Sequence, residues 1–298
     1  MLTTLISAAE LAQRLNRADL NHSTLQELVI LDCRHDLMQP GAGRSSHAAG
    51  HIPHAQFADT DSDLAGSMHD ANGMFQGRHP LPQRAELIAT LRGWGISDTT
   101  QVVAYDAHGG MFAARLWWLL RWVGHPAVAL LDGGLNAWQA LGLALETAAT
   151  RPVRGDMSDL PALTCTVSAA DVLANLSTPT CSVIDARAPQ RFRGENETID
   201  PVGGHIPGAR NRFFKDNLQA DGCFKSGAQL RLEFAALLGG AAGVANDASQ
   251  AIMQCGSGVT ACHNLLALEL AGMPGAALYP GSWSEWCSDP LRPVARGT

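Results

Sequence analysis

The sequence predicts an α/β protein made of two tandem copies of one domain, each a parallel sheet flanked by helices. Three observations lead there. Short apolar runs alternate with helical patterns such as Met111 to Val123 and Thr260 to Ala271, which is the signature of a parallel sheet covered by helices. Five sequence blocks occur twice in the same order. The chain has 298 residues, enough for about two domains of roughly 150 residues each.

The blocks can be followed along the chain. Ile6-Ser7-Ala8-Ala9-Glu10-Leu11 returns as Val167-Ser168-Ala169-Ala170-Asp171-Val172. Each offers a serine N-cap with an acid three residues on, the opening of a helix. Val29-Ile30-Leu31-Asp32-Cys33-Arg34 returns as Ser182-Val183-Ile184-Asp185-Ala186-Arg187, a buried strand closed by Asp-x-Arg. Gly50-His51-Ile52-Pro53 returns as Gly204-His205-Ile206-Pro207. The strand Val102 to Asp106 matches Ala251 to Cys255, and Asp132 to Trp138 matches Pro280 to Trp286. Between the copies, Thr147 to Pro161 lacks apolar periodicity and carries Arg151-Pro152, Gly155 and Pro161, so residues 147–161 are expected to be a linker. The expected domains are then 1–146 and 162–298. Tandem domains of this kind are expected to face each other across a ligand-binding cleft.

Composition narrows the function. The chain is 46% hydrophobic and 16% charged, so it can bury substantial cores. Its net charge of -7 argues against a nucleic-acid or anionic-membrane partner. Seven cysteines, an odd number with no Cys-x-x-Cys pair, suit neither a disulfide scaffold nor a zinc knuckle. Free thiols suit a reducing compartment. Met1 to Ser7 does not start a signal peptide, and no apolar run approaches the roughly 20 residues of a membrane span. The expectation is a cytoplasmic protein without a membrane segment.

The chemistry concentrates at Ala251 to Ala261. An apolar strand ends in Cys255, and the small-residue loop Gly256-Ser257-Gly258-Val259-Thr260 leads into a helix. Such a loop turns successive backbone N–H groups inward, and the helix dipole adds positive potential at the same point. A cysteine there is expected to be a reactive thiolate. Gly256 and Gly258 supply the backbone freedom that the cradle needs. The equivalent position in the first copy is Asp106, which cannot act as a sulfur nucleophile, so that copy is expected to be catalytically silent.

These motifs together resemble the tandem-domain rhodanese-type sulfurtransferases over almost the whole chain. Cys255-Gly256-Ser257-Gly258-Val259-Thr260 is similar to the loop of the 3-mercaptopyruvate sulfurtransferase branch; the thiosulfate-preferring branch carries basic residues just after its cysteine. The resemblance implies that Cys255 takes a sulfane sulfur from 3-mercaptopyruvate or thiosulfate as a persulfide. The sulfur then passes to a thiol, to cyanide or to a thioredoxin-like protein, without metal or organic cofactor. It further implies that Ser257 works with His79 and Asp61, with Asp59 and Asp63 as alternatives a register step away, and that Arg191 binds the donor's anion beside the loop residues Gly256, Gly258, Val259 and Thr260. Arg187 and Arg34, present in both copies, are expected to be structural, as are His51 and His205. Trp117, Trp118, Trp122, Trp138, Trp283 and Trp286 are expected in the cores.

One position departs from the family pattern. A second substrate arginine often follows nine residues after the first; here that position is Asp200, and the donor preference stays open between mercaptopyruvate and thiosulfate. Two other classes compete. A cysteine phosphatase needs an arginine six residues past its cysteine, where this chain has Ala261. A non-enzymatic interaction module fits the first copy but not the intact loop of the second.

Overall fold

A computed structural model describes residues 1–18, 27–239 and 248–298. The chain forms two compact units. The first comprises Met1–Ala65, Pro82–Leu163 and Ala220–Phe224; the second comprises Gly66–Leu81, Thr164–Gln219 and Lys225–Thr298.

In the first unit, strands β1 (Leu5–Ile6), β2 (Leu28–Asp32), β3 (Gln56–Phe57), β4 (Gln101–Tyr105) and β5 (Val128–Leu131) form one sheet in the order β1-β5-β4-β2-β3. Every pairing is parallel. Burial explains the nearly continuous apolar sequence of β2, β4 and β5: a parallel sheet is covered on both faces. One face packs Ile30, Val103, Tyr105, Ala129 and Leu131 against Leu11 and Leu15 of helix α1 (Ala8–Ala18) and Leu135 and Trp138 of a later helix. Strand alternation turns Val102 and Ala104 to the other face, where α4 (Ala113–Trp122) contacts β4 and β5. Helices α2 (Ala42–Ala49), α3 (Arg84–Gly93) and α5 (Gly134–Ala140) complete the unit.

The second unit repeats the plan. Strands β6 (Cys165–Thr166), β7 (Ser182–Asp185), β8 (Arg210–Asn211), β9 (Ala251–Gln254) and β10 (Ala277–Leu278) lie in the order β6-β10-β9-β7-β8, again all parallel. Helices α6 (Ala169–Ser177), α7 (Pro189–Arg193), α8 (Gly227–Leu237), α9 (Ala261–Leu270) and α10 (Ser282–Trp286) surround it. Helix α9 is buried from Ala261 to Leu268, so its first two turns have no solvent-exposed face, and the polar His263 and Asn264 meet Asn217 inside.

Duplicated motifs make duplicated contacts. Ser168 and Asp171 form a reciprocal capping box, and Ser7 Oγ accepts the Glu10 N–H at 3.2 Å. Arg34 pairs with Asp32 at 2.6 Å and donates to Gly50 O at 2.7 Å; Arg187 pairs with Asp185 at 2.7 Å and donates to Gly204 O at 2.7 Å. Each arginine therefore ties a strand end to the Gly-His-Ile-Pro turn of its own unit. The histidines of those turns are structural in both places. His51 stacks on His47, His205 stacks on Phe192, and each Nδ1 lies within hydrogen-bond distance of a backbone carbonyl. Trp117, Trp118, Trp138, Trp283 and Trp286 are buried; Trp122 is only half-buried, and Arg84 lies over its ring.

Residues 147–161 are bound along the first unit. The Gly155 N–H donates to Arg92 O at 2.8 Å, the Met157 N–H to Ile96 O at 3.2 Å, and Met157 is fully buried. No helix among the described residues is long and apolar enough to cross a membrane.

Candidate active site

The loop after β9 starts at Cys255, which is 2% exposed, and ends at Thr260, the residue before α9. Its shape is set from outside by α10. Ser282 Oγ accepts the Cys255 N–H at 3.1 Å and donates to Tyr279 O at 2.9 Å. The Trp283 and Ser284 N–H groups donate to the carbonyls of Cys255 and Gly256, each at 2.9 Å. Ser282 carries a positive φ of 53°, an uncommon conformation for a residue with a side chain. Gly258, with φ of 79°, has no room for a Cβ, which would run into the Pro280 carbonyl.

The first copy supplies a physical comparison. There the Asp106 carboxylate fills its own loop: the N–H groups of His108 (2.7 Å), Gly110 (3.0 Å), Phe112 (2.8 Å) and Ala113 (2.9 Å) all donate to it. The loop is an anion cradle whose anion is a side chain of the chain itself. In the second copy Cys255 takes the position of Asp106. Among the described residues, no acceptor engages the N–H groups of Ser257, Val259 and Ala261, which occupy the places of His108, Gly110 and Phe112.

His79 belongs to the second unit, because Gly66–Leu81 folds with it. The arm is anchored next to the loop: the Arg78 N–H donates to Ser284 Oγ at 3.1 Å. His79 Nδ1 and Ser257 Oγ stand 2.7 Å apart, and both residues are buried. Asp61 lies in the first unit, half-exposed, with Oδ1 3.7 Å from His35 Nε2. Its neighbours Asp59 and Asp63 belong to that unit as well; burial raises the carboxyl pKa of Asp63 above the ordinary value.

Two guanidinium groups border the loop. A side chain built on Gly256 would meet Arg78 Nη2 at 2.8 Å, Arg191 Nη1 at 3.5 Å and Arg191 Nη2 at 3.6 Å. Arg191 is held by Glu197 through Nε and Nη2, both at 2.9 Å, and by Asp200 through Nη2 at 2.9 Å. Arg78 donates through Nη1 to the other oxygen of Asp200. One edge of each guanidinium is thus fixed by carboxylates, and Arg78 Nη2 and Arg191 Nη1 stay unbonded among the described residues. Burial, and next the positive charge of Arg191, hold the Arg78 pKa below its ordinary value. Arg187 remains in the structural part of the network, with its guanidinium 4.6 Å from the Trp283 ring centre and Nη1 3.5 Å from Glu197. Burial pushes up the thiol pKa of Cys287 and that of Cys33.

Cys255, Gly256, Ser257, Gly258, Val259, Thr260, His79 and Arg191 all belong to the second unit, although the sequence assigns His79 to the first domain, 1–146. Arg78 joins them beside the loop, and its place next to His79 is its only signal in the sequence.

The model of the rhodanese-like domain matches residues 7–141 and 168–289. The chain belongs to the rhodanese family. Within it, the chain is 48% identical over 294 residues to a probable 3-mercaptopyruvate sulfurtransferase of Pseudomonas aeruginosa, covering 98% of both chains. It is 40% identical over 308 aligned residues to a putative thiosulfate sulfurtransferase of Mycobacterium tuberculosis, covering 99% of this chain and 97% of that one. Its fold is similar to the crystal structure of SseA, a 3-mercaptopyruvate sulfotransferase from Escherichia coli. The TM-score is 0.76 at 30% identity, covering 95% of this chain and all of the other.

Proposed function

We propose that this rhodanese-family chain is a sulfurtransferase that moves a sulfane sulfur from 3-mercaptopyruvate through a Cys255 persulfide to a thiol or cyanide. One observation carries the reading. The cradle that a carboxylate fills in the first copy is lined in the second by N–H groups without an acceptor, and a cysteine stands where the carboxylate stood. A persulfide anion needs such donors around it.

In the proposed reaction the donor carboxylate lies against Arg78 Nη2 and Arg191 Nη1. The Cys255 thiolate attacks the donor sulfur. A sulfur–sulfur bond forms, the carbon–sulfur bond breaks, and its electron pair leaves on the pyruvate enolate. The Ser257–His79 pair polarises the ketone oxygen and relays the proton released by the new persulfide to the enolate carbon, giving pyruvate. An acceptor thiolate then attacks the outer sulfur, forming its own persulfide and returning Cys255 as thiolate. A thioredoxin-like protein or a small thiol suits this step, and a reducing, cytoplasmic setting suits the free state of all seven cysteines.

Intact-mass measurement after mixing reduced protein with each donor tests the reading. The expected result is a gain of one sulfur atom, reversed by an acceptor thiol and lost in Cys255→Ala. A sulfur gain that persists in that variant refutes Cys255 as the carrier.

A further inference from the structure

The donor site contains a negative charge that a site for anions does not obviously need. Asp200 has a buried side chain, 3% exposed, and its two oxygens accept from different arginines, Arg78 and Arg191. Glu197 secures it from below, because Glu197 Oε1 accepts the Asp200 N–H at 3.1 Å as well as the Arg191 Nη2–H at 2.9 Å. The cluster around the loop then holds three cations, Arg78, Arg187 and Arg191, and three anions, Asp185, Glu197 and Asp200. At rest it is neutral. A bound monoanion leaves one excess negative charge there, and a dianion leaves two, beside a thiolate and largely out of water. Excess charge in a poorly solvated site is costly, and the cost rises steeply with its magnitude.

We propose that Asp200 is a specificity-determining residue: by neutralising one guanidinium charge it tunes the Arg78–Arg191 pair to a monoanionic carboxylate donor and against a dianionic one such as thiosulfate. Asp200 does this while leaving Arg78 Nη2 and Arg191 Nη1 directed at the space over Gly256. It also cancels repulsion between two cations held close together. This inference rests on the sulfurtransferase reading for its choice of donors.

The test compares Asp200→Asn and Asp200→Glu with the native chain, using kcat/KM for mercaptopyruvate and thiosulfate with one common acceptor. Asp200→Asn is expected to raise kcat/KM for thiosulfate by roughly tenfold and for mercaptopyruvate by about threefold or less, on the scale of one unit charge at partly buried range. Asp200→Glu keeps the charge and is expected to keep the native ratio. If both donors decline together in Asp200→Asn with the ratio unchanged, Asp200 only positions the arginines and the proposal is wrong. A second measurement needs neither turnover nor an Asp200 variant. Native protein is titrated with pyruvate and with sulfate by tryptophan fluorescence; pyruvate should bind more tightly, and sulfate binding as well or better overturns the proposal. The two failures are distinguishable: absence of sulfur loading on Cys255 defeats the sulfurtransferase reading, whereas the anion titration reads the charge preference of the site whether or not sulfur is transferred.

Discussion

Cys255 and Asp106 occupy the same position in two copies of one loop, and the difference between them decides whether the loop's N–H groups are already engaged by a side chain. Four donated hydrogen bonds to a buried carboxylate are a large stabilising contribution, because each is charge-assisted. Asp106→Ala should therefore destabilise the first unit by about 3 kcal/mol, measured by urea denaturation, while sulfur loading of Cys255 continues in the folded fraction. An Asp106→Ala protein as stable as the native chain would mean that the cradle does not need an anion. Arg191→Ala should raise KM for mercaptopyruvate by roughly 10- to 100-fold with an unchanged far-UV circular dichroism spectrum, since one of two guanidinium partners of the carboxylate is lost. An unchanged KM removes Arg191 from the donor site. His79→Gln separates the two donors. Its partner Ser257 is assigned to the ketone of mercaptopyruvate, which thiosulfate lacks, so kcat should fall about 100-fold with the first donor and remain within a few-fold with the second. Equal losses would show that the pair supports the loop instead.

At the scale of elements, the Cys255 loop is shaped by α10 as well as by its own glycines. Three of its carbonyl and N–H groups are taken by Ser282, Trp283 and Ser284, and Ser284 Oγ also holds the backbone of Arg78. A short helix with a strained first residue thereby aligns Cys255 and the arm that carries Arg78 and His79. Gly258→Ala tests how rigid this arrangement is. A Cβ at φ of 79° that meets the Pro280 carbonyl should cost about 2–3 kcal/mol and lower sulfur loading together with stability. Wild-type melting behaviour in that variant would show that the β10–α10 turn yields easily.

At the scale of the whole molecule, each unit depends on buried Asp–Arg ties at its strand ends. Asp32 is fully buried, and burial by itself would raise its carboxyl pKa; the hydrogen bonds from His47 and Arg34 outweigh that and leave the pKa below the ordinary value. The sign follows from linkage. A carboxyl group with a depressed folded-state pKa contributes stability above its unfolded value, about 3.9, and that contribution is lost as pH falls through the depressed value. Acid unfolding should therefore begin below about pH 4, and Asp32→Asn should flatten that limb while costing about 3 kcal/mol at neutral pH by leaving Arg34 without its charged partner. An acid limb that is identical in the variant would place the controlling group elsewhere.

Much of this was legible in the amino-acid order because it is written locally. The buried strand runs, the capping serines, the Asp-x-Arg strand ends and the loop around Cys255 each depend on residues a few positions apart, and their repetition in order declares the duplication. Helices α4 and α9 fall within the expected Met111 to Val123 and Thr260 to Ala271 stretches, with ends trimmed by one or two residues. Other features could not be read that way. The chain position of His79 assigns it to the first domain, yet Gly66–Leu81 folds with the second unit, because Arg78 bonds to Ser284 and Asp200 and His79 to Ser257, all more than 100 residues away. Asp200 looked like a lost arginine when judged by spacing; only folding sets its two oxygens between Arg78 and Arg191. The sequence by itself determined the doubled α/β fold, the single cysteine-bearing loop and its aspartate-bearing twin, since periodicity and capping act over short range. Tertiary structure alone decided which charges surround that cysteine, because a charge acts through space and its partners are fixed only when distant segments pack.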